Sequence, residues 1–359
     1  MRVAFVHDYL TQLGGAERVL LHMHALYPDA PIYTSIYDPK AGHGAFDGAD
    51  VRTSWLQRIP GARRNFRALL PLYPSAFESL DLRGFDLVLS STTSFAKGVR
   101  VADGARHVCY MNTPTRFLWY PQEYTMDVTP PPIRPFVRAL LPRLRTWDYA
   151  AAQRPDRIVA NSRNVAGRIR ECYGRESDVA HCPVDVECFA PDSVIEDYYL
   201  VVARLLPYKR VDLAIAAVTA IGGKLIVVGT GPDERRLRKL AGPNVFFAGR
   251  IGDEQRRRLY GRALAVIVPG AEDFGLVPLE AAASGRPAVA FHGGGALETV
   301  VEGETGSFFR EPSAAALADA LRTLQPDAFE PRRLVEHAAA FSPECFRARM
   351  RSLLDRYLQ

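Results

Sequence analysis

Long apolar runs, paired cysteines and acidic metal-binding triplets are all missing from this sequence of 359 residues. No segment reaches the roughly 18 uninterrupted apolar residues of a membrane-spanning helix. The five cysteines form no Cys-x-x-Cys pair, which argues against a zinc site or a disulfide framework. Because no Asp-x-Asp triplet is present either, we expect a site that works without a metal ion.

The length and the first residues indicate a two-domain protein of the cytoplasm. The chain exceeds the roughly 250 to 300 residues at which a single hydrophobic core stops growing. Its apolar content of 48% is ample for two cores. Residues 1–7 have the pattern of a strand rather than of a signal peptide.

Apolar segments of strand length alternate with helix-like segments, which is typical of parallel sheets covered by helices. The first series of predicted strands covers residues 2–7, 31–36, 51–55, 85–91, 106–112, 157–161 and 178–183. After a predicted linker at 190–197, the second series covers residues 198–203, 224–229, 245–248, 265–268, 288–291 and 306–309. We therefore predict an α/β fold with Rossmann-like domains at 1–190 and 191–342 and a final helix at 343–359.

Two glutamates lie eight positions apart around a predicted glycine turn and helix start. Glu272 follows a short apolar segment suited to a buried strand, and Glu280 lies about one turn into the helix. Between them, the backbone amides of residues 274–276 lie where a helix start can bind an anion.

Two cations belong to an earlier segment of the same half. The pattern of residues 201–214 predicts a strand that ends near Arg204, a turn at Pro207 and a helix that carries Lys209. The two cations would then flank the mouth of a loop.

Together, Arg204, Lys209, Glu272 and Glu280 resemble the donor site of retaining glycosyltransferase family 4, whose members have the two-domain GT-B fold. The resemblance covers nearly the whole chain, and it includes the opening segment 7–17, the loop 229–232 and the segments 293–300 and 304–306. It implies two domains that face each other across a cleft, with the last helix crossing back onto the first domain.

The resemblance also implies a role for each of these side chains. Arg204 and Lys209 would neutralise the charge that builds on the leaving diphosphate. Glu272 would bind a hydroxyl of the transferred sugar and orient it without attacking it, and Glu280 would accept hydrogen bonds from the ribose hydroxyls. Further donor contacts are expected at Gly14, Gly15, Gly229, Gly231, Arg250, Ile251, Phe274, Gly275 and Leu276. Gly14 and Gly15 are equally consistent with a simple turn before a helix.

The sequence departs from the resembled family in the first domain. Many relatives have a histidine at a strand end near the reacting carbon, whereas Thr93 or Asn112 would stand there in this chain. His7 and His292 are the nearest alternatives at predicted strand ends.

Two stretches rich in arginine contain no acidic residue. They lie between Asp50 and Glu78 and between Asp127 and Asp148, and their arginines alternate with apolar residues. Such segments either pack their apolar side on their own domain or dock on an anionic membrane surface. Nucleic acid is not an expected partner, because no known binding module accompanies the arginines.

The resemblance implies a retaining, metal-independent hexosyltransferase that uses a nucleotide sugar as substrate and needs no cofactor. The opening segment, residues 112–119 and residues 205–214 look like mannosyltransferases of surface-polysaccharide assembly. This favours transfer of mannose from GDP-mannose to a glycan or lipid-linked acceptor, in the cytoplasm or at the inner face of the membrane. A UDP-sugar donor with a natural-product acceptor, a nucleotide-sugar epimerase of the same fold and a non-catalytic sugar-nucleotide binding protein remain alternatives.

Overall fold

Every strand that the sequence predicts is present in the computed structural model, which describes residues 1–41, 44–120, 132 and 134–359. The chain forms two compact units, one of Met1–His181 with Phe346–Gln359 and the other of Cys182–Cys345. Each unit contains one sheet in which all paired strands are parallel.

The first unit is built on a seven-stranded sheet with the order β3-β2-β1-β4-β5-β6-β7. Its strands are β1 Val3–His7, β2 Ile32–Thr34, β3 Val51–Thr53, β4 Leu87–Thr92, β5 Arg106–Met111, β6 Arg157–Ala160 and β7 Asp178–Val179. Its α-helices are α1 Gly15–His24, α2 Ala62–Asn65, α3 Tyr73–Glu78, α4 Arg116–Trp119, α5 Arg134–Ala152 and α6 Arg163–Tyr173. All residues of the central strands β1 and β4 are buried, as expected of parallel strands covered on both faces.

The second unit is built on a six-stranded sheet with the order β10-β9-β8-β11-β12-β13. Its strands are β8 Tyr199–Val202, β9 Leu225–Val228, β10 Val245–Gly249, β11 Ala265–Val268, β12 Ala288–Phe291 and β13 Gly306–Phe309. Its α-helices are α7 Val211–Ala220, α8 Glu234–Leu240, α9 Asp253–Arg262, α10 Leu276–Ala283, α11 Ala296–Thr299, α12 Ala314–Thr323 and α13 Pro331–Ala339. The last helix, α14 Pro343–Leu358, begins in this unit and continues into the first.

The division between the units falls at residue 181 rather than at residue 190. Phe189 explains the difference, because it packs with Tyr198 and Tyr260 in a core cluster of the second unit. At the other end of the chain, Phe346 of α14 contacts Tyr110 edge-on, with ring centroids 5.7 Å apart. The residues from Phe346 onward therefore belong to the first unit.

A buried hydrogen bond joins β4 to β5. Ser90 Oγ and His107 Nε2 lie 2.8 Å apart, and both side chains are fully buried. Burial lowers the pKa of His107 from 6.5 to about 4, although the nearby Asp156 carboxylate opposes this effect. The folded first unit therefore holds a neutral imidazole at neutral pH.

We expect the free energy of unfolding of the first unit to fall as the pH is lowered from 6.5 to about 4. His107 alone accounts for a loss of up to about 3 kcal/mol. The unfolded chain binds the proton more readily, so the stabilisation is complete above pH 6.5 and is lost as the pH approaches about 4. Urea unfolding at several pH values measures the slope, and His107→Gln should flatten it. If stability depended on pH in the same way in the wild type and in His107→Gln, the lowered pKa of His107 would be contradicted.

Candidate functional site

The strand order of the second unit reverses between β8 and β11, which pair side by side, and the helices that follow them, α7 and α10, pack in different core clusters. In open parallel sheets, ligands bind at this reversal, beyond the carboxyl ends of the strands. Arg204 and Lys209 follow β8, and Glu272 follows β11. The fold therefore brings predicted site residues from distant parts of the sequence to one edge of the sheet.

Lys209 and Glu272 form an ion pair in which the ammonium group donates to both carboxylate oxygens. The side chains are 15% and 17% exposed, so the pair is largely but not completely removed from water. The ammonium nitrogen also lies 5.2 Å from the ring centre of Tyr208, at a distance typical of a cation–π contact.

The structure corrects the predicted position of Lys209, which does not lie on a helix that starts at the turn. It ends a separate 3₁₀ turn, Pro207–Lys209. Arg210 follows with a left-handed φ of 51°, and α7 begins only at Val211. Since a left-handed residue cannot continue a right-handed helix, the chain changes direction here.

Arg204 is not part of the ion pair. Its side chain is exposed, and within the described part of the chain it has no hydrogen-bond or ion-pair partner. Of the two predicted cations, one is thus bound to a predicted carboxylate and the other extends into solvent.

Glu280 lies on the second turn of α10, as the sequence predicts. Gly275 precedes the helix with a left-handed φ of 100°, which glycine adopts at little cost. The buried hydroxyl of Tyr260 donates to Glu280 Oε2 over 2.5 Å. Burial, and next the Glu280 carboxylate, raise the pKa of Tyr260 well above its ordinary value, so this hydroxyl stays protonated.

The glycines of the predicted donor loops have a clear role in packing. A Cβ atom at Gly229 would lie 1.9 Å from the carbonyl oxygen of Ala203, and one at Gly231 would lie 2.2 Å from that of Leu205. Only glycine lets the loop after β9 approach the loop that carries Arg204 so closely. A contact of these glycines with a donor stays a prediction.

Two glycines of the segment 293–300 support the glutamate loop in the same way. The Gly295 amide donates to the carbonyl oxygen of Glu272 over 2.8 Å. A Cβ atom at Gly294 would lie 2.4 Å from that oxygen. The backbone of Glu272 is therefore fixed from the loop after β12.

Arg250 and Ile251, two of the expected donor contacts, differ in their surroundings. Arg250 is exposed just after β10, whereas Ile251 packs against the core cluster that contains Tyr260.

The first unit contains a buried carboxylate that the sequence analysis did not single out. Asp8 follows β1 and is 1% exposed. It accepts hydrogen bonds from the backbone amides of residues 93–96 over 2.5 to 2.9 Å, and also from the hydroxyls of Thr92 and Thr93. Thr93, one of the two positions proposed for the missing histidine, is therefore bonded to an internal anion that shapes its own loop.

Asn112, the other position suggested for the missing histidine, is hydrogen-bonded to residues at the ends of two other strands. Its side-chain amide lies 3.3 Å from the carbonyl oxygen of Thr92, and its own carbonyl oxygen accepts a hydrogen bond from Asn161 over 2.8 Å. It is 7% exposed.

The Gly14–Gly15 segment opens α1. The Gly14 amide donates to Glu17 Oε2 over 2.8 Å, which is one half of a capping box, since glycine has no side chain to accept the reciprocal hydrogen bond. Glu17 is buried, and its carboxylate lies 3.8 Å from His7 Nε2. The Gly14 amide is thus already bonded within the chain, as expected if Gly14 simply forms a turn before a helix.

A fully buried ion pair, Lys97 with Asp148, supports the loops after β4 and β5. Lys97 also donates to the carbonyl oxygen of Ser94 and, over 2.8 Å, to Thr115 Oγ1. Asp148 accepts further hydrogen bonds from Thr115, Trp119 and Tyr173 over 2.6 to 2.8 Å. This network connects both loops to α5 and α6.

The two arginine-rich stretches share one hydrophobic cluster. Leu140, Leu141 and Leu144 of α5 pack in the same cluster as Leu69 and Leu70 of the earlier stretch. The exposed arginines of the two stretches are Arg52, which pairs with Asp50, and Arg58, Arg63, Arg64, Arg138, Arg143 and Arg145. Ile133 and the side chain of Arg67 lie outside what the structure describes.

Two negative findings apply to the described ranges of the chain. Across these ranges, no group of three or more His, Cys, Asp and Glu side chains is placed to hold a metal ion. No helix within them combines the length and apolar character needed to cross a bilayer.

Two family models match the sequence. The model described as Glycosyltransferase Family 4 matches residues 13–188, and the model described as Glycosyl transferases group 1 matches residues 193–341. Together they cover most of the chain, including every residue of the Lys209–Glu272–Glu280 site.

Curated relatives share about 30% of the aligned residues. One is the GDP-mannose-dependent alpha-(1-6)-phosphatidylinositol monomannoside mannosyltransferase of Mycolicibacterium smegmatis, 30% identical over 227 residues that make up 54% of this chain and 59% of that protein. Another is the D-inositol 3-phosphate glycosyltransferase of Mycobacterium tuberculosis, 30% identical over 237 residues, or 56% of this chain and 49% of that protein. The chain thus spans about half the length of the curated relatives it matches.

Solved structures match over the whole chain. Sucrose-phosphate synthase from Thermosynechococcus elongatus superposes with a TM-score of 0.76 at 18% identity, covering 100% of this chain and 99% of that one. Anabaena HepE in complex with UDP and glucose superposes with a TM-score of 0.73 at 18% identity, covering 99% of each chain. At this identity the likeness concerns the fold alone, and that fold is GT-B.

Proposed function

Because this chain belongs to glycosyltransferase family 4, we propose that it transfers a hexose from a nucleotide sugar to an acceptor, with retention of configuration and without a metal ion. The observation that carries the proposal is the Lys209–Glu272 ion pair at the strand-order reversal, with Glu280 on the helix that follows. A lysine and two glutamates there supply both a cation for a diphosphate and acceptors for sugar and ribose hydroxyls.

We propose mannose as the hexose and GDP-mannose as its donor. The GDP-mannose dependence of the Mycolicibacterium relative supports this choice. The acceptor would be a glycan or a lipid-linked glycan, since that relative acts on a phosphatidylinositol monomannoside.

The ion pair suggests how the donor is received. Without a diphosphate, Lys209 neutralises Glu272. When a diphosphate arrives, the ammonium can bond to its oxygens, and the carboxylate can then accept a hydrogen bond from a hydroxyl of the sugar. Each partner thus keeps a counterpart of suitable charge or polarity, which limits the cost of separating a largely buried pair.

Charge on the leaving diphosphate would be stabilised from several sides. Lys209 provides a compact positive charge, and Arg204 can bond to two phosphate oxygens at once. The first-turn amides of α10 add the positive end of a helix dipole. No enzyme nucleophile is needed if the acceptor attacks from the side of the departing phosphate.

The direct test is incubation of the purified protein with GDP-mannose, GDP-glucose, UDP-glucose or UDP-N-acetylglucosamine, with and without bacterial membrane lipid extract. We expect release of GDP from GDP-mannose only when the extract is present, together with a mannosylated lipid. An altered sugar nucleotide without acceptor would instead indicate an epimerase. Binding without turnover would indicate a non-catalytic sugar-nucleotide binding protein.

Substitutions at the site should weaken nucleotide binding without unfolding the protein. We expect Lys209→Ala and Glu280→Ala each to raise the Kd for GDP roughly tenfold, because each loses a charge-assisted hydrogen bond of about 1.5 kcal/mol or more. Lys239→Ala, which removes an exposed lysine from α8, is the matched control. Calorimetric titration gives the affinities, and unchanged Kd values in both site variants would refute the site.

We also propose that the exposed arginines of the first unit dock on an anionic membrane surface at the cytoplasmic face. The apolar side of α5 is already packed in the core, so that its arginines are left facing solvent. Phe136, 66% exposed near the start of α5, is a large apolar side chain beside them. Attraction would therefore be mainly electrostatic and sensitive to salt.

Flotation with vesicles tests this docking. We expect binding to vesicles that contain phosphatidylglycerol but not to pure phosphatidylcholine vesicles, and loss of most binding in 0.5 M salt. Arg138→Gln combined with Arg143→Gln should reduce binding several-fold. Arg332→Gln combined with Arg333→Gln, on the exposed face of α13, removes the same charge elsewhere and serves as the control. Equal flotation with neutral and anionic vesicles would leave only the packed-face interpretation.

A further inference from the structure

Tyr260 occupies an unusual position for a residue with a polar tip. It lies on α9 and is completely buried. The ring of Phe189 meets it edge-on, with centroids 5.5 Å apart. Its hydroxyl lies 2.5 Å from Glu280 Oε2, on the neighbouring helix α10.

The hydrogen bond from Tyr260 can hold the Glu280 carboxylate in place. A hydrogen bond from a hydroxyl to a carboxylate at this distance is short and charge-assisted. The ring is completely buried in the cluster that contains Phe189, Tyr198 and Leu334, and close packing of this kind restricts its movement. A glutamate on a helix has three rotatable side-chain bonds, and a bond to an immobile donor selects one arrangement among them.

The single hydrogen bond from Tyr260 does not saturate the Glu280 carboxylate. A carboxylate has about four lone-pair positions, of which Tyr260 occupies one. A vicinal diol such as that of ribose is best bound when both carboxylate oxygens face it together. The orientation of the carboxylate therefore decides how well the diol is recognised.

From this geometry we propose that Tyr260 is a positioning residue for Glu280, which holds the carboxylate so that it can accept hydrogen bonds from the two ribose hydroxyls of the donor nucleotide. This inference rests on the proposed role of Glu280. Tyr260 itself does not touch the donor; it acts through the carboxylate.

A purely structural role for Tyr260 makes a different prediction. If its hydroxyl only joined α9 to α10, its removal would lower stability and would weaken the binding of all nucleotides alike. A positioning role weakens specifically the part of the affinity that depends on the ribose hydroxyls.

The experiment compares GDP with 2′-deoxy-GDP and 3′-deoxy-GDP by calorimetric titration, for the wild type and for Tyr260→Phe. We expect the wild type to bind the deoxy nucleotides about tenfold more weakly than GDP. In Tyr260→Phe, GDP binding should weaken about five- to tenfold, whereas binding of the deoxy nucleotides should change less than twofold. Equal losses for all three nucleotides, or no loss for GDP, would overturn the proposal.

Two further measurements separate the role of Tyr260 from that of Glu280. Wild-type protein that binds GDP without discriminating against the deoxy nucleotides would refute the role of Glu280 itself, and with it the proposed site. In a Glu280→Gln background, Tyr260→Phe should cause no additional loss of discrimination if the two residues act together. This double-mutant cycle remains valid even if Tyr260→Phe is less stable than the wild type. Discrimination is the ratio of two Kd values, for GDP and for a deoxy nucleotide, and both are measured on the same folded variant.

Discussion

Close approach of backbone to backbone is the constraint on which the site of the second unit depends. A Cβ atom at Gly270 would lie 2.5 Å from the carbonyl oxygen of Tyr208, so the loop after β11 and the loop after β8 touch directly. Gly229 and Gly231 allow the same approach from the loop after β9, and Gly294 and Gly295 allow it from the loop after β12. Four loops are thus packed against one another without intervening side chains. This packing fixes the backbones that carry Lys209 and Glu272.

The two units use carboxylates at strand ends in opposite ways. In the first unit, Asp8 is buried and bonded to four consecutive loop amides and two hydroxyls, so any release would leave several donors without partners. In the second unit, Glu272 is paired with the long side chain of Lys209, and both side chains retain some exposure. The first arrangement holds a loop in a single shape, whereas the second can exchange partners with a ligand. The exchangeable pair is therefore the better candidate for receiving a substrate.

The sequence predicted the strands well because buried parallel strands appear as short apolar runs, whatever their neighbours are. It also placed Glu280 correctly on its helix, since the glycine turn before α10 is a local signal. It did not reveal Tyr260 or Asp8, because their partners lie 20 and more than 80 positions away. The left-handed Arg210, which separates Lys209 from α7, could not be predicted either, since nothing in its residue type signals that conformation.

Polar side chains near the strand ends of the first unit are already bonded within that unit. This bears on which cations could stabilise a leaving diphosphate in the proposed reaction. Thr93 and Asn112, the two positions that the resemblance suggests for the missing histidine, are hydrogen-bonded to groups of the first unit itself. Lys97, which lies close to them in sequence, is fully buried and paired with Asp148. Moving it toward a substrate would leave a buried carboxylate unpaired, at a cost of several kcal/mol. At the strand-order reversal of the second unit, Arg204 is exposed and the Lys209–Glu272 pair is partly exposed, so these cations can reach a ligand at a lower cost. In the proposed reaction we therefore assign stabilisation of the leaving diphosphate to Lys209, Arg204 and the first turn of α10.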